Sequence, residues 1–149
     1  MKVETTRFGV VEIDEANLVI LPDGLLGFEE YRQYCLIQHR PSSGFRWLQS
    51  IDDPSLAFVV VDPSEHFNDY EIEIGDSDIQ KIQLLNAEDA TVLVIVSIRD
   101  GGKSISANLA APIVVNSKNL TAAQIVLQDE RYETRHAMIA AQARHTAAA

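Results

Sequence analysis

The sequence predicts an all-β domain, mainly antiparallel and barrel-like, with one or two short helices. Three observations carry this. Short segments of β-branched and aromatic residues recur between turn signals, as they do in sandwiches and barrels rather than in alternating strand–helix chains. Asp100-Gly101-Gly102 separates two such segments, and glycine supplies the positive φ that a tight hairpin return needs. Helical periodicity is confined to two places. With 149 residues the chain is the size of one compact domain that buries a core without disulfides or metal. We assign residues 1–138 to that domain and 139–149, which end in Thr-Ala-Ala-Ala, to a frayed tail.

In chain order, residues 3–13 read as a strand broken near Gly9, followed by strands at 18–21, 35–39, 46–51 and 57–61. Residues 70–74 alternate acidic and apolar side chains, the period of a half-buried strand. A short helix follows at 76–85, where Ser77 and Gln80 have capping-box spacing and Ile79 and Ile82 share a face. Strands at 91–99 and 104–110 form the hairpin, and strands at 113–116 and 123–128 complete the β segments. Residues 131–144 suggest a second helix, with Met138 and Ile139 as a weak apolar stripe.

The net charge of −10 repels phosphate backbones, so direct binding to nucleic acid would lack the electrostatic attraction that dominates such affinity. A basic partner is the natural counterpart. Between Asp62 and Asp89 there are nine acidic residues against one base, Lys81. Such a run is either a solvated face or a docking surface. The apolar runs are too short to cross a bilayer and the N-terminus MKVETTRFG has no apolar signal region, so no membrane association and a cytoplasmic location are expected. Cys35, the one cysteine, sits in an apolar run and reads as a packing residue.

Catalytic motifs fail on context. Asp100-Gly-Gly-Lys-Ser104 copies the end of a phosphate-binding loop but leads into a strand, not a helix, and Ser97 stands where the loop needs glycine. His39, His66, His136 and His145 lack metal-ligand spacing, and neither a nucleophile elbow nor a candidate acid–base pair emerges. No catalytic residue, cofactor or metal is therefore expected. Asn119-Leu120-Thr121 fits a glycosylation sequon, but an unexported chain would not meet the enzyme. What remains are polar residues and prolines set in apolar strands. Gln49 follows Trp47 and Leu48, and a buried amide must find partners, so it is assigned to a strand edge or corner. In Asn108-Leu-Ala-Ala-Pro-Ile-Val-Val-Asn116, Pro112 has no amide hydrogen for a ladder. That segment is expected to be an edge strand or the start of a strand after a corner, with Asn108 and Asn116 tying down the backbone.

Taken together, GLLGF (24–28), LQSIDDPSLAFVVVDP (48–63), DYE (69–71), NLAAPIVVN (108–116) and QIVLQDERYETR (124–135) resemble the flagellar assembly factor FliW family, in order, over about residues 3–138. The resemblance implies a small β-barrel-like protein of the bacterial cytoplasm that is not an enzyme. It implies a partner that is a CsrA-type translational regulator, bound away from its RNA-contacting surface and inhibited by a non-competitive, allosteric mode. It also implies binding to flagellin, near the flagellin C-terminal region, which draws the protein off the regulator. Within this reading, Asp69, Glu71, Glu73, Asp76 and Asp78 are expected at the regulator-facing surface. Phe28, Phe45, Trp47 and Phe58 are candidate linings of a flagellin groove, although core packing is the leading reading of each. A dedicated flagellin chaperone without regulator control is the alternative.

Overall fold

The computed structural model describes residues 1–38 and 44–138. It contains strands β1 (Lys2–Thr5), β2 (Gly9–Glu12), β3 (Leu18–Ile20), β4 (Gln33–Ile37), β5 (Arg46–Ser50) and β6 (Ala57–Val61). Helix α1 (Asp76–Lys81) is followed by β7 (Ala90–Arg99), β8 (Ser104–Ala107), β9 (Ile113–Asn116), β10 (Ala122–Gln124) and β11 (His136–Ala137). The fold is the expected one, antiparallel sheet with one short helix. β1 and β2 form a hairpin of their own, and the others make one sheet of order β10-β9-β7-β6-β5-β4-β3, with β8 beside β7 and β11 beside β8. The sheet is open. Its two ends meet at a single parallel bridge, Ile20 to Thr121, with the Ile20 amide donating to the Leu120 carbonyl at 3.0 Å.

The ten-residue β7 is the spine. Its first half pairs with β9, from Ala90 opposite Asn116 to Leu93 opposite Ile113. Its second half pairs on the same side with β8, from Val96 opposite Ala107 to Arg99 opposite Ser104. Between the pairs Leu93–Ile113 and Val96–Ala107, two residues of β7, Val94 and Ile95, thus lie opposite five, Asn108 to Pro112. The three extra residues are a corner between two halves of one partner strand. Pro112 sits at the end of that corner, where the missing N–H costs no ladder bond. Since β9 lies between β7 and β10, the segment is a corner and not a sheet edge, and its buried Pro112 offers no docking strand.

Alternation along the strands produces the packing. Val19, Leu21, Leu25, Tyr34, Leu48, Val60, Leu93 and Ile113 form one buried cluster. Val61, Val94, Val96, Leu109 and Met138 form a second, and Ile82, Leu84, Val114, Ala123 and Ile125 a third under α1.

Several predicted boundaries differ. Residues 70–74 join no ladder: Ile72 and Ile74 pack onto the third cluster while Glu71 and Glu73 face out, so the alternation reported burial without strand pairing. Helix α1 begins after Gly75 with no side-chain cap, so the Ser77–Gln80 box does not form, and it stops at Lys81 because Gln83 takes φ 57°. The strand predicted at 123–128 ends at Gln124. The helix predicted over 131–144 is absent from its described part. The chain turns through Arg131–Arg135 and then pairs as β11 with β8, burying Met138 at 1% exposure. A weak stripe could not hold a helix against a sheet edge offering partners. Residues 139–149, and with them the frayed tail, lie outside the described residues, as does His39.

Candidate interaction surface

The acidic stretch from Asp62 to Asp89 leaves β6, crosses the sheet face and enters α1. Two tyrosines fix its course. The Tyr70 hydroxyl donates to the Leu109 carbonyl at 2.7 Å, and the Tyr132 hydroxyl donates to the Asp69 carbonyl at 3.2 Å while accepting from the Glu71 amide at 3.0 Å. Their rings meet edge to face with centroids 4.7 Å apart. Burial first, and the neighbouring Tyr132 second, push the Tyr70 hydroxyl well above the ordinary phenol range. Beyond these pins, Ile72, Ile74 and Ile79 anchor the stretch to the third cluster.

This anchoring orients the acids. Asp69, Glu71, Glu73 and Asp76 are exposed and Asp78 is half-buried. Lys81, the single base of the stretch, is paired across to Asp23, and its hydrogen bond to that carboxylate raises its pKa. Arg131 also lines this surface and pairs with Asp129, so both bases are matched to acids outside the Asp62–Asp89 stretch, which keeps its negative character. The carboxylates do not form one patch. Glu71, Glu73 and Asp78 line a groove of about 620 Å³ whose other wall is Val126, Gln128 and Asp129. Asp69 instead borders a neighbouring hollow with His66, Tyr70 and His136, and Asp76 lies on neither. Asp129, which sequence reasoning missed, carries Arg131 on it at 2.7 Å; the hydrogen bonds from Arg131 hold its carboxyl below the usual range. Its place opposite Glu71 depends on chain segments more than fifty residues apart, and no local pattern signals it.

The polar residues singled out in the strands hold the scaffold that presents this surface. Gln49 is fully buried, and its Nε2 lies within 3.1–3.3 Å of the carbonyls of Ser50, Asp53, Pro54 and Leu56, closing the Asp52-Asp53-Pro54 turn around one amide. The Ser50 Oγ accepts from the Asp52 and Asp53 amides, completing that turn. Asn108 Oδ1 accepts from the Ala111 amide at 3.1 Å inside the corner. The corner carbonyls then serve the groove's far wall and its pins: Leu109 accepts from Tyr70, Ala110 from the Leu127 amide, Ala111 from Gln124 Nε2 and Pro112 from the Ile125 amide. Asn116 Nδ2 donates to the Ile82 and Gln83 carbonyls at 2.9 and 3.1 Å, fastening the end of α1 to β9.

The aromatic candidates do not converge. Phe28 stacks edge to face on Phe58 at 5.2 Å beside the first cluster, Trp47 meets Phe8 and lies under Arg7, and Phe45 packs on the second cluster. Among the described residues no group of His, Cys, Asp or Glu is placed to hold a metal ion, and no helix is long and apolar enough to cross a membrane.

Known proteins share this sequence and fold. The family model described as FliW protein matches residues 2–138. A flagellar assembly factor FliW of Syntrophus aciditrophicus (strain SB) is 43% identical over 136 residues, covering 91% of this chain and 86% of that protein. One of Geobacter sulfurreducens is 40% identical over 136 residues, with 91% and 85% covered. A crystal structure of the flagellar assembly factor FliW superposes with a TM-score of 0.86 at 33% identity, covering 93% of this chain and 96% of that one. By fold, by sequence and by the extent of both matches, this chain belongs to the FliW family.

Proposed function

We propose that this protein is a cytoplasmic, non-enzymatic flagellar assembly factor that works by occupancy, holding a CsrA-type translational regulator or flagellin in turn. Its acidic surface engages the regulator away from the RNA-contacting face and lowers RNA affinity allosterically; flagellin, through its C-terminal region, withdraws the protein and restores repression. Family membership supports the flagellar role. The observation that carries the regulator reading is the outward row Glu71, Glu73 and Asp76, held by partly buried isoleucines beneath it and flanked by Asp69 and Asp78, with the nearest lysine already paired. A protein that binds RNA presents basic surface, and an acidic counterpart attracts it at long range while repelling RNA. Two ligands of one switch must each lower affinity for the other.

The test is titration of the protein into a regulator–leader RNA complex, with and without flagellin, at two salt concentrations. RNA release that weakens with salt and is reversed by flagellin is expected. A regulator that stays fully on its RNA removes this reading, and flagellin binding without RNA release identifies a dedicated flagellin chaperone.

A further inference from the structure

The wall of the groove formed by residues 125–128 continues the chain past the end of β10 and is hydrogen-bonded along one side only. The Ile125 and Leu127 amides donate inward, to the Pro112 and Ala110 carbonyls at 2.9 and 2.8 Å. In an extended segment successive amides point to opposite sides, so the Val126 and Gln128 amides face the groove. Among the described residues neither has a hydrogen-bond partner. The groove thus offers backbone donors at alternate positions of an extended segment, the repeat that an added strand reads.

Side chains around this edge differ by face. Ile125 and Leu127 pack with Ile72 and Ile74 beneath the acidic segment, on the side where Glu71 and Glu73 line the groove. Val126 points to the other side and is 55% exposed. A strand laid along 126–128 would therefore present alternate residues to carboxylates and the intervening ones to an apolar side chain. We propose that this groove binds an extended peptide segment of a protein partner by strand addition to residues 126–128, the segment carrying basic residues at alternate positions and apolar residues between them. Main-chain hydrogen bonds would supply affinity, and the Glu71–Glu73 row would set register and charge preference. The proposal rests on the reading above for the basic character of the partner, but its geometry stands by itself.

The probe is the labelled peptide acetyl-Lys-Val-Lys-Val-Lys-Val-Lys-amide, followed by fluorescence anisotropy and by amide shifts of the full-length ¹⁵N-labelled protein. Two further peptides carry backbone N-methyl groups, one on the valines and one on the internal lysines. A strand adding to one edge turns only one of these sets toward the protein. One methylated peptide is expected to lose binding about tenfold or more and the other to stay within about twofold, as expected for lost main-chain bonds. The Val126 and Gln128 amides should shift most. The double variant Glu71→Lys, Glu73→Lys, at exposed positions, should weaken the parent peptide about tenfold. Equal binding of both methylated peptides, no binding of the parent at low salt, or shifts confined to other strands would overturn strand addition. Intact regulator that binds while the peptide series fails leaves the functional reading standing and removes this inference. Success of the peptide series with a regulator that does not bind does the reverse.

Discussion

Replacing Gln49 by leucine and by glutamate tests how the scaffold is held. Its Nε2 lies within reach of four turn carbonyls, but two hydrogens can satisfy only about two of them at once. At about 1 kcal/mol each, the leucine variant loses about 2 kcal/mol. Two features limit the loss. The Asp53, Pro54 and Leu56 carbonyls keep a second donor, the amides of Leu56, Thr6 and Ser50. The buried Gln49 Oε1, which has no partner among the described residues, also disappears. The glutamate variant is worse, because its carboxylate faces carbonyl oxygens in a site with no exposure. We expect a loss at pH 7 of about 4 kcal/mol or more. Repulsion and burial raise that carboxyl's folded-state pKa above its unfolded value of about 4.3, so the variant recovers stability as pH falls and loses it as pH rises through the folded pKa. Urea denaturation followed by Trp47 fluorescence at pH 5 and pH 7 measures both, and the leucine variant should melt about 4–8 °C lower. A glutamate variant as stable as the parent at pH 7, or a leucine variant more stable than it, refutes the carbonyl cage.

Further outcomes follow from the same geometry. Asn116→Ala removes two bonds to the Ile82 and Gln83 carbonyls and should cost about 2 kcal/mol, with faster hydrogen exchange in α1 before any change in β5 or β6. Tyr70→Phe should cost about 1 kcal/mol at neutral pH by loss of the Leu109 bond. Since the Tyr70 pKa is raised in the fold, as is that of Tyr34, pushed to about 12 by burial and then by Asp52, stability is intact below about pH 10 and falls as pH rises beyond it. The phenylalanine variant should flatten that fall in an alkaline titration of thermal stability. Charge reversal of Asp69, Glu71, Glu73, Asp76 and Asp78 should slow association with the proposed CsrA-type regulator and weaken its salt dependence in stopped-flow measurements, while unchanged kinetics exclude the acidic row from the proposed interface.

Strands β5 and β6 and the β7–β8 hairpin were legible because apolar runs there end in turn residues that admit one geometry, Asp52-Asp53-Pro54 and Asp100-Gly101-Gly102. Residues 70–74 misled because alternation records which side chains are buried and says nothing about whether the backbone finds a ladder; here the Tyr132 hydroxyl takes up the Glu71 amide and the neighbouring Asp69 carbonyl instead. β11 is two residues long and exists only because β8 offers an edge, so no local preference announces it. The acidic row was readable from composition, and its outward direction follows from the isoleucines between the acids. The opposing wall was not, since Val126 and Asp129 arrive there through bonds to the corner at 110–112.

That corner works as a keyed joint. The pairings of β8 and of β9 with β7 are each fixed by their own residues, so inserting one residue between Asn108 and Pro112 leaves both ladders able to form. Yet Tyr70, Gln124, Ile125 and Leu127 each reach for a particular oxygen there, and a longer joint would hand them the wrong ones. Its length is dictated from outside, by the two walls it holds apart.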